Sequence, residues 1–161
     1  MSKASHRIAR RSLLGAIVAV VAGRTMMSAL AAEAEITVHK DPNCGCCSGW
    51  VDHLRAAGFS VDAQDTTDLA RVKQQHGVPP ELASCHTAIV GGYVVEGHVP
   101  ALAIRRLLAE RPDAKGLAVP GMPVGSPGME GRTPQPYAVV LFGPDKQSLF
   151  MRFLGTQQVD G

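Results

Sequence analysis

The sequence predicts an α/β fold, and three observations carry that reading. Between Glu35 and Pro112, short segments rich in β-branched residues alternate with segments of helical periodicity. Three of the four cysteines crowd into "CGCC", Cys44–Cys47, at the first strand-to-helix turn. From Gly116 the composition turns to glycine and proline, and two more strand-like segments follow. At 161 residues, 45% of them hydrophobic, the chain is long enough to bury one real core.

Each element has its own local reason. "EITVHK" (Glu35–Lys40) alternates and is β-branched, which predicts a strand, and Asp41-Pro42-Asn43 predicts a turn. Trp50, Val51, Leu54 and Ala57 recur at helical spacing over Cys47–Ala57, and Gly58 stops the run. "FSVDAQD" predicts a second strand. "TTDLARVKQQHG" predicts a helix with a capping threonine and a terminal glycine. "GVPPEL" is a turn, "CHTAIV" an apolar strand, and "GGYVVEG" pairs back on it as a hairpin. "VPALAIRRLLAERP" is a helix with proline at both ends. "GLAVPGMPVGSPGMEGRTPQP" excludes regular helix and central strand, after which "PYAVVLFG" and "SLFMRFL" form a closing hairpin around Gly143-Pro144-Asp145.

The order β-α-β-α-β-β-α, with cysteines at the first strand-to-helix turn, resembles the thioredoxin-like fold in its small glutaredoxin-like version. The expected organisation is a thioredoxin-like domain over residues 35–112 and a C-terminal extension over residues 113–161. That extension comprises the Gly/Pro-rich loop and the β-hairpin, and is expected to pack on the cysteine site.

Residues 1–31 read as an export signal: a basic start, an apolar run from Leu13 to Gly23, then the small-x-small "ALA" at Ala29–Ala31. The apolar run is about half the length that a membrane-crossing helix needs, which favours cleavage near Ala31 over an uncleaved anchor. Arg10-Arg11 resembles a twin-arginine signal, although Ser12-Leu13-Leu14 follows it, so both export routes stay open. Cleavage removes Lys3, Arg7, Arg10, Arg11 and Arg24, five of the 16 basic residues, and none of the 14 acidic ones, so the formal charge turns from +2 to −3. No basic patch then remains to suggest nucleic acid, and no second apolar span suggests a membrane role. The expected location is the periplasm, where free cysteines oxidise unless geometry or a ligand protects them.

Cys44 and Cys47 have the C-x-x-C spacing of redox sites, with backbone N–H groups and the helix dipole favouring thiolate. Rings closed between adjacent cysteines, or across one residue, are strained, so Cys44–Cys47 is the one comfortable disulfide within the cluster and Cys46 is left over. Three thiolates on one turn repel one another unless a cation sits among them, and soft sulfur ligands select Cu(I), Zn(II) or iron–sulfur clusters. A redox C-x-x-C with a spare cysteine and a purely structural disulfide set are the alternatives. Cys85 precedes the apolar strand and, in a thioredoxin-like fold, faces the other three sulfurs; otherwise it is a small buried hydrophobe. Met122 and Met129 sit in the Gly/Pro loop, where there is little core to fill, and read either as thioether ligands or as loop anchors. Met151 belongs to the core. His53 and His76 are expected on exposed helix faces, and His39 at the strand end beside the site. His86 is expected to point away from Cys85. His98, in the turn before the last helix, is the best histidine candidate for a ligand.

"CGCC", "SCHTAIVGGYVVEGHVPA" and "GLAVPGMPVGSPGME" together resemble the CopG family of exported bacterial copper-resistance proteins, over about Glu35–Leu154. The resemblance implies a thioredoxin-like domain whose extension folds over the CxCC site, with copper on the cysteines. It also implies a part in copper redox handling beside efflux systems, so periplasmic copper chaperones or efflux systems are the expected partners. The resulting reading is an exported copper-binding protein that holds one or several Cu(I) ions on Cys44, Cys46, Cys47 and Cys85. Met122, Met129 and His98 complete the candidate ligands, and interconversion of Cu(I) and Cu(II) is a further step. The alternative is a thiol–disulfide oxidoreductase in which Cys44 attacks and Cys47 resolves. A zinc or iron–sulfur binder comes third, because adjacent Cys46-Cys47 suits paired C-x-x-C ligation poorly.

Overall fold

A computed structural model describes residues 34–160; the export signal expected over residues 1–31 lies outside the described residues. The first half follows the expected order: β1 (Ile36–Lys40), α1 (Gly45–Ala56), β2 (Val61–Asp65), α2 (Leu69–Gln75), β3 (His86–Val90), β4 (Tyr93–Glu96) and α3 (Ala101–Glu110). A short 3-10 turn at Pro80–Leu82 separates α2 from β3. The second half contributes β5 (Gly116–Ala118), β6 (Pro136–Phe142), β7 (Gln147–Leu154) and β8 (Gln157–Gln158). All belong to one mixed sheet of order β2-β1-β3-β4-β5-β6-β7-β8, in which β1 runs parallel to β2 and β4 parallel to β5.

Three local expectations change. Helix α1 begins at Gly45, two residues earlier than the hydrophobic period suggests, which places Cys46 and Cys47 inside its first turn. Helix α2 is capped by Asp68, whose carboxylate accepts from the Arg71 N–H at 3.1 Å, while the threonine hydroxyl of Thr66 accepts from the Asp68 N–H. Asp is the stronger cap here because its carboxylate also holds the Arg71 side chain, at 3.0 Å. The third change is the largest: Gly116–Ala118 is a central strand, although the composition argued against one. Three residues suffice because Leu117, Ala118 and Val119 are buried and the prolines begin only at Pro120. Gly116 makes the pairing possible, since any Cβ there would collide with the Val94 backbone.

The core lies between the sheet and the two longer helices. Trp50 and Leu54 of α1 and Ala103, Ile104 and Leu107 of α3 are fully buried against Ile36, Val38, Ala88 and Val95. Leu117, Val139, Met151 and Phe153 continue that layer from the second half, and Met151 is core as expected. Alternate residues Val94, Ala118 and Phe142 point to the opposite face and pack with Val78 and Leu82. Burial on this scale fixes the register of each strand, because a slip of one residue would turn an apolar row to solvent. Among the described residues, no helix is long and apolar enough to cross a membrane.

Candidate metal centre

The turn after β1 sets the first cysteine. Asp41 accepts the Asn43 N–H on its carboxylate at 2.7 Å and the Cys44 N–H on its carbonyl at 3.1 Å. This tight turn makes Cys44 the N-cap of α1, and its carbonyl accepts from the Ser48 N–H at 3.2 Å. No side chain caps this end, so the positive end of the helix faces the sulfurs.

The described structure brings together all four cysteines, whose sulfurs lie within 4.8 Å of one another. Cys44 and Cys47 form a disulfide, the pairing that ring strain favours within the cluster, while Cys46 and Cys85 are free. Cys46 Sγ lies 3.4 Å from Cys44 Sγ and 3.9 Å from Cys85 Sγ, and bridges the helix to the β3 side of the site. Burial, and then the neighbouring Cys46, push the Cys85 thiol well above its usual range, so without a cation Cys85 stays protonated.

Two histidines converge on Cys85. His98 Nε2 is 3.0 Å from Cys85 Sγ, and its Nδ1 is 2.7 Å from the Pro127 carbonyl. A carbonyl oxygen only accepts, so Nδ1 carries the proton and Nε2 turns its lone pair to the sulfur. His86 does not point away. Its Nδ1 lies 3.4 Å from Cys85 Sγ, and its fully buried ring sits 4.3 Å from Trp50 and 5.0 Å from His98, centre to centre. The strand-alternation argument fails because Cys85 precedes β3 and does not obey its pleat. The hairpin register could have found the contact: Thr87 pairs with Glu96, which puts residues 86 and 97 side by side, and the Gly97 N–H donates to the His86 carbonyl at 3.1 Å. Burial lowers the pKa of both histidines, His86 the more strongly, so both rest as neutral imidazoles.

The Gly/Pro loop lies over this site. Gly128 packs its backbone against Gly49, Trp50 and the Cys46 carbonyl in the first turns of α1. Pro127 meets His98, and Ser84 Oγ donates to the Gly121 carbonyl at 2.5 Å. Met122 is 52% exposed and Met129 half-buried. Of the other histidines, His39 stacks on His76 at 6.2 Å. His53 departs from expectation: it is half-buried, and its Nε2 accepts the Ala101 N–H at the start of α3, at 3.1 Å.

Beneath Cys85 is a polar group that the sequence did not reveal. Glu96, wholly buried, accepts from Lys73 Nζ at 2.5 Å, the Ser84 N–H at 2.6 Å and the Thr87 hydroxyl at 2.7 Å. The carboxylate thereby holds the residue before Cys85 in place.

Two solved structures of copper resistance protein CopG, in two forms, match this chain at 47% identity. Form 2 aligns over 75% of this chain and 98% of its own with a TM-score of 0.72, and form 1 over 76% and 99% with 0.71. This chain belongs to the CopG family of copper-resistance proteins. A family model described as a protein of unknown function, DUF411, matches residues 82–129, the stretch from the 3-10 turn through Cys85 and His98 to Met129. Nothing matches among curated proteins. Membership supports a copper-related role for this chain, and its cysteine cluster could hold a metal ion. The donor set, soft sulfur beside imidazole in a half-buried site, suits a soft metal ion.

Proposed function

We propose that this chain is an exported copper-binding protein in which Cys44, Cys46, Cys47 and Cys85 hold Cu(I). The observation that carries the reading is the convergence of four sulfurs within 4.8 Å, from two segments 38 residues or more apart in sequence. Sulfur bridging lets closely spaced thiolates share more than one Cu(I), and thiolate ligation displaces the thiol protons, including the one that burial holds on Cys85. His98 is the nitrogen ligand of this reading, while Met122 and Met129, carried on the loop across α1, are its thioether ligands. The architecture from β1 to α3 is, on the same reading, a thioredoxin-like core, and residues 113–161 are its site-covering extension. Because the Cys44–Cys47 disulfide withholds two ligands, two electrons must enter from a reductant such as a dithiol before the full thiolate set forms. Interconversion of Cu(I) and Cu(II) at the site, location in the periplasm and exchange with copper chaperones or efflux systems complete the proposal.

A second reading is favoured by the disulfide itself, which lies at the N-terminus of a helix, where thiolates are stabilised. In a thiol–disulfide oxidoreductase, Cys44 attacks and Cys47 resolves, and Cys46→Ser and Cys85→Ser leave exchange intact. In the copper protein either change lowers metal stoichiometry or affinity. The deciding experiment is elemental analysis of the reduced mature protein after copper loading, with a parallel thiol count. At least one copper per chain, with the four thiols protected from alkylation, is expected; metal-free protein that rapidly reduces substrate disulfides would replace the copper reading by the enzyme.

A further inference from the structure

A C-x-x-C exchange site has no use for Cys46 and Cys85, yet their free thiols lie within reach of the disulfide and of each other. Cys46 Sγ is 3.4 Å from Cys44 Sγ and 3.9 Å from Cys85 Sγ. The sulfurs therefore form a row in the order Cys47, Cys44, Cys46, Cys85, with the disulfide at one end and the two thiols at the other. We propose that the disulfide migrates along this row, so that internal thiol–disulfide exchange converts the Cys44–Cys47 pairing into a Cys46–Cys85 pairing. The inference goes beyond both readings above and rests on neither, because the exchange needs no metal and no partner.

The exchange consists of two displacements. Cys46 attacks Cys44 Sγ, the Cys44–Cys46 bond forms, and the Cys44–Cys47 bond breaks with its electron pair on Cys47. That leaving sulfur belongs to the first turn of α1, whose uncapped N-terminus stabilises negative charge. Cys47 Sγ is also 3.6 Å from the Cys85 carbonyl, an acceptor that a thiol can use and a disulfide cannot. The Cys44–Cys46 ring spans a single residue, and its strain makes it a ready target for the next thiol. Cys85 then attacks Cys46 Sγ, and the electron pair of the breaking bond leaves on Cys44. The protons of the Cys46 and Cys85 thiols end on Cys47 and Cys44. His98 Nε2, 3.0 Å from Cys85 Sγ, is placed to receive the Cys85 proton as that sulfur attacks. One disulfide and two thiols stand on each side, so no oxidant or reductant enters.

The second pairing escapes the ring strain that limits pairing within the helix turn. Cys46 and Cys85 are 39 residues apart, and a bond of about 2.05 Å needs their sulfurs to close by about 1.9 Å, a distance that side-chain rotation covers. What changes is which sulfurs are free and what they join. Cys44–Cys47 closes α1 onto its own cap and leaves the helix untied from the β3 side. Cys46–Cys85 ties those two segments covalently and releases Cys47, which is fully buried, and Cys44, which is half-buried.

The test uses the mature, metal-free protein with one disulfide formed and two thiols counted free. After anaerobic incubation the free thiols are trapped with a maleimide in acid, where thiolate is scarce and exchange stops. The blocked protein is digested with trypsin. Cys44, Cys46 and Cys47 share the peptide 41–55, while Cys85 lies in the peptide 74–105. The Cys44–Cys47 form yields a loop within the first peptide, and the Cys46–Cys85 form joins the two peptides. Mass spectrometry should find the joined pair, with maleimide on Cys44 and Cys47, in at least about one chain in ten. A difference of about 1.4 kcal/mol between the pairings still leaves that population. In Cys46→Ser, which breaks the row, the first peptide should keep its loop and Cys85 should stay unpaired. No joined pair, a pair joined through Cys44 or Cys47, or a pair that survives Cys46→Ser overturns the inference. The wild-type map decides the matter even if the variant fails to fold.

Discussion

Glu96→Gln tests whether the polar group under Cys85 holds the site together. The wild-type carboxylate is wholly buried and takes three donors, from Lys73, Ser84 and Thr87. Glutamine keeps the shape but turns an NH₂ group towards at least one donor, and it leaves the Lys73 ammonium, with its side chain 15% exposed, without a countercharge. Breaking one partner of a buried ion pair costs about 3–5 kcal/mol, and the partial exposure of Lys73 places this case near the lower end. A loss of about 3 kcal/mol corresponds to a fall of roughly 10 °C in Tm for a domain of this size. Urea unfolding of the reduced, metal-free protein measures it, with Lys73→Met and the Lys73→Met/Glu96→Gln double variant completing a cycle. The double variant should be more stable than the sum of the single losses predicts, by at least about 1 kcal/mol. A single-variant loss below about 1 kcal/mol, or strict additivity, would refute the argument that this carboxylate is held as an ion.

Two other predictions follow from named contacts. Gly128→Ala places a Cβ, at φ +83°, against the Cys46 carbonyl and 2.7 Å from the Trp50 nitrogen, all of it backbone in a helix that cannot yield. The loop should lift from α1, with at least about 2 kcal/mol lost and faster alkylation of Cys46; unchanged alkylation would show that the loop does not shield the thiol. Acid should loosen the cap on α3. Burial holds the His53 pKa below 6.5, against the opposing pull of Glu130, and it is the neutral ring that accepts the Ala101 N–H. A lowered folded-state pKa means stability that is complete above pH 6.5 and lost as pH falls from there through the lowered value. His53→Gln should flatten that part of the pH–stability curve in the metal-free protein, leaving the slope from His86 and His98; an identical curve would remove His53 from the account.

The parts of this protein that were legible in sequence are those that local chemistry dictates. The β-α-β-α-β-β-α order followed from hydrophobic period and turn residues, and the Cys44–Cys47 pairing from ring strain. His86 was misplaced because strand alternation was carried one residue beyond the strand, onto Cys85. The Gly116–Ala118 strand was missed because a three-residue strand has too little length to show a period, and its glycine is there for a close approach by a partner that local sequence does not name. His53 looked like a solvated helix residue, since its acceptor role depends on α3 beginning 48 residues later.

By itself the sequence determined which atoms are available: four cysteines, three of them on one turn, a C-x-x-C spacing and a loop that cannot be helix. Composition and spacing act through bonds and short contacts, so one strand and one turn are enough to read them. Cys85 and His98 could be placed beside the cluster only through an assumed fold; the tertiary structure alone decided that His86 also faces Cys85 and that Lys73 and Glu96 hold the residue before it. Those relations depend on the β3–β4 register and on how α1 and α2 cover the two faces of the sheet, which global packing sets and no local window of residues contains.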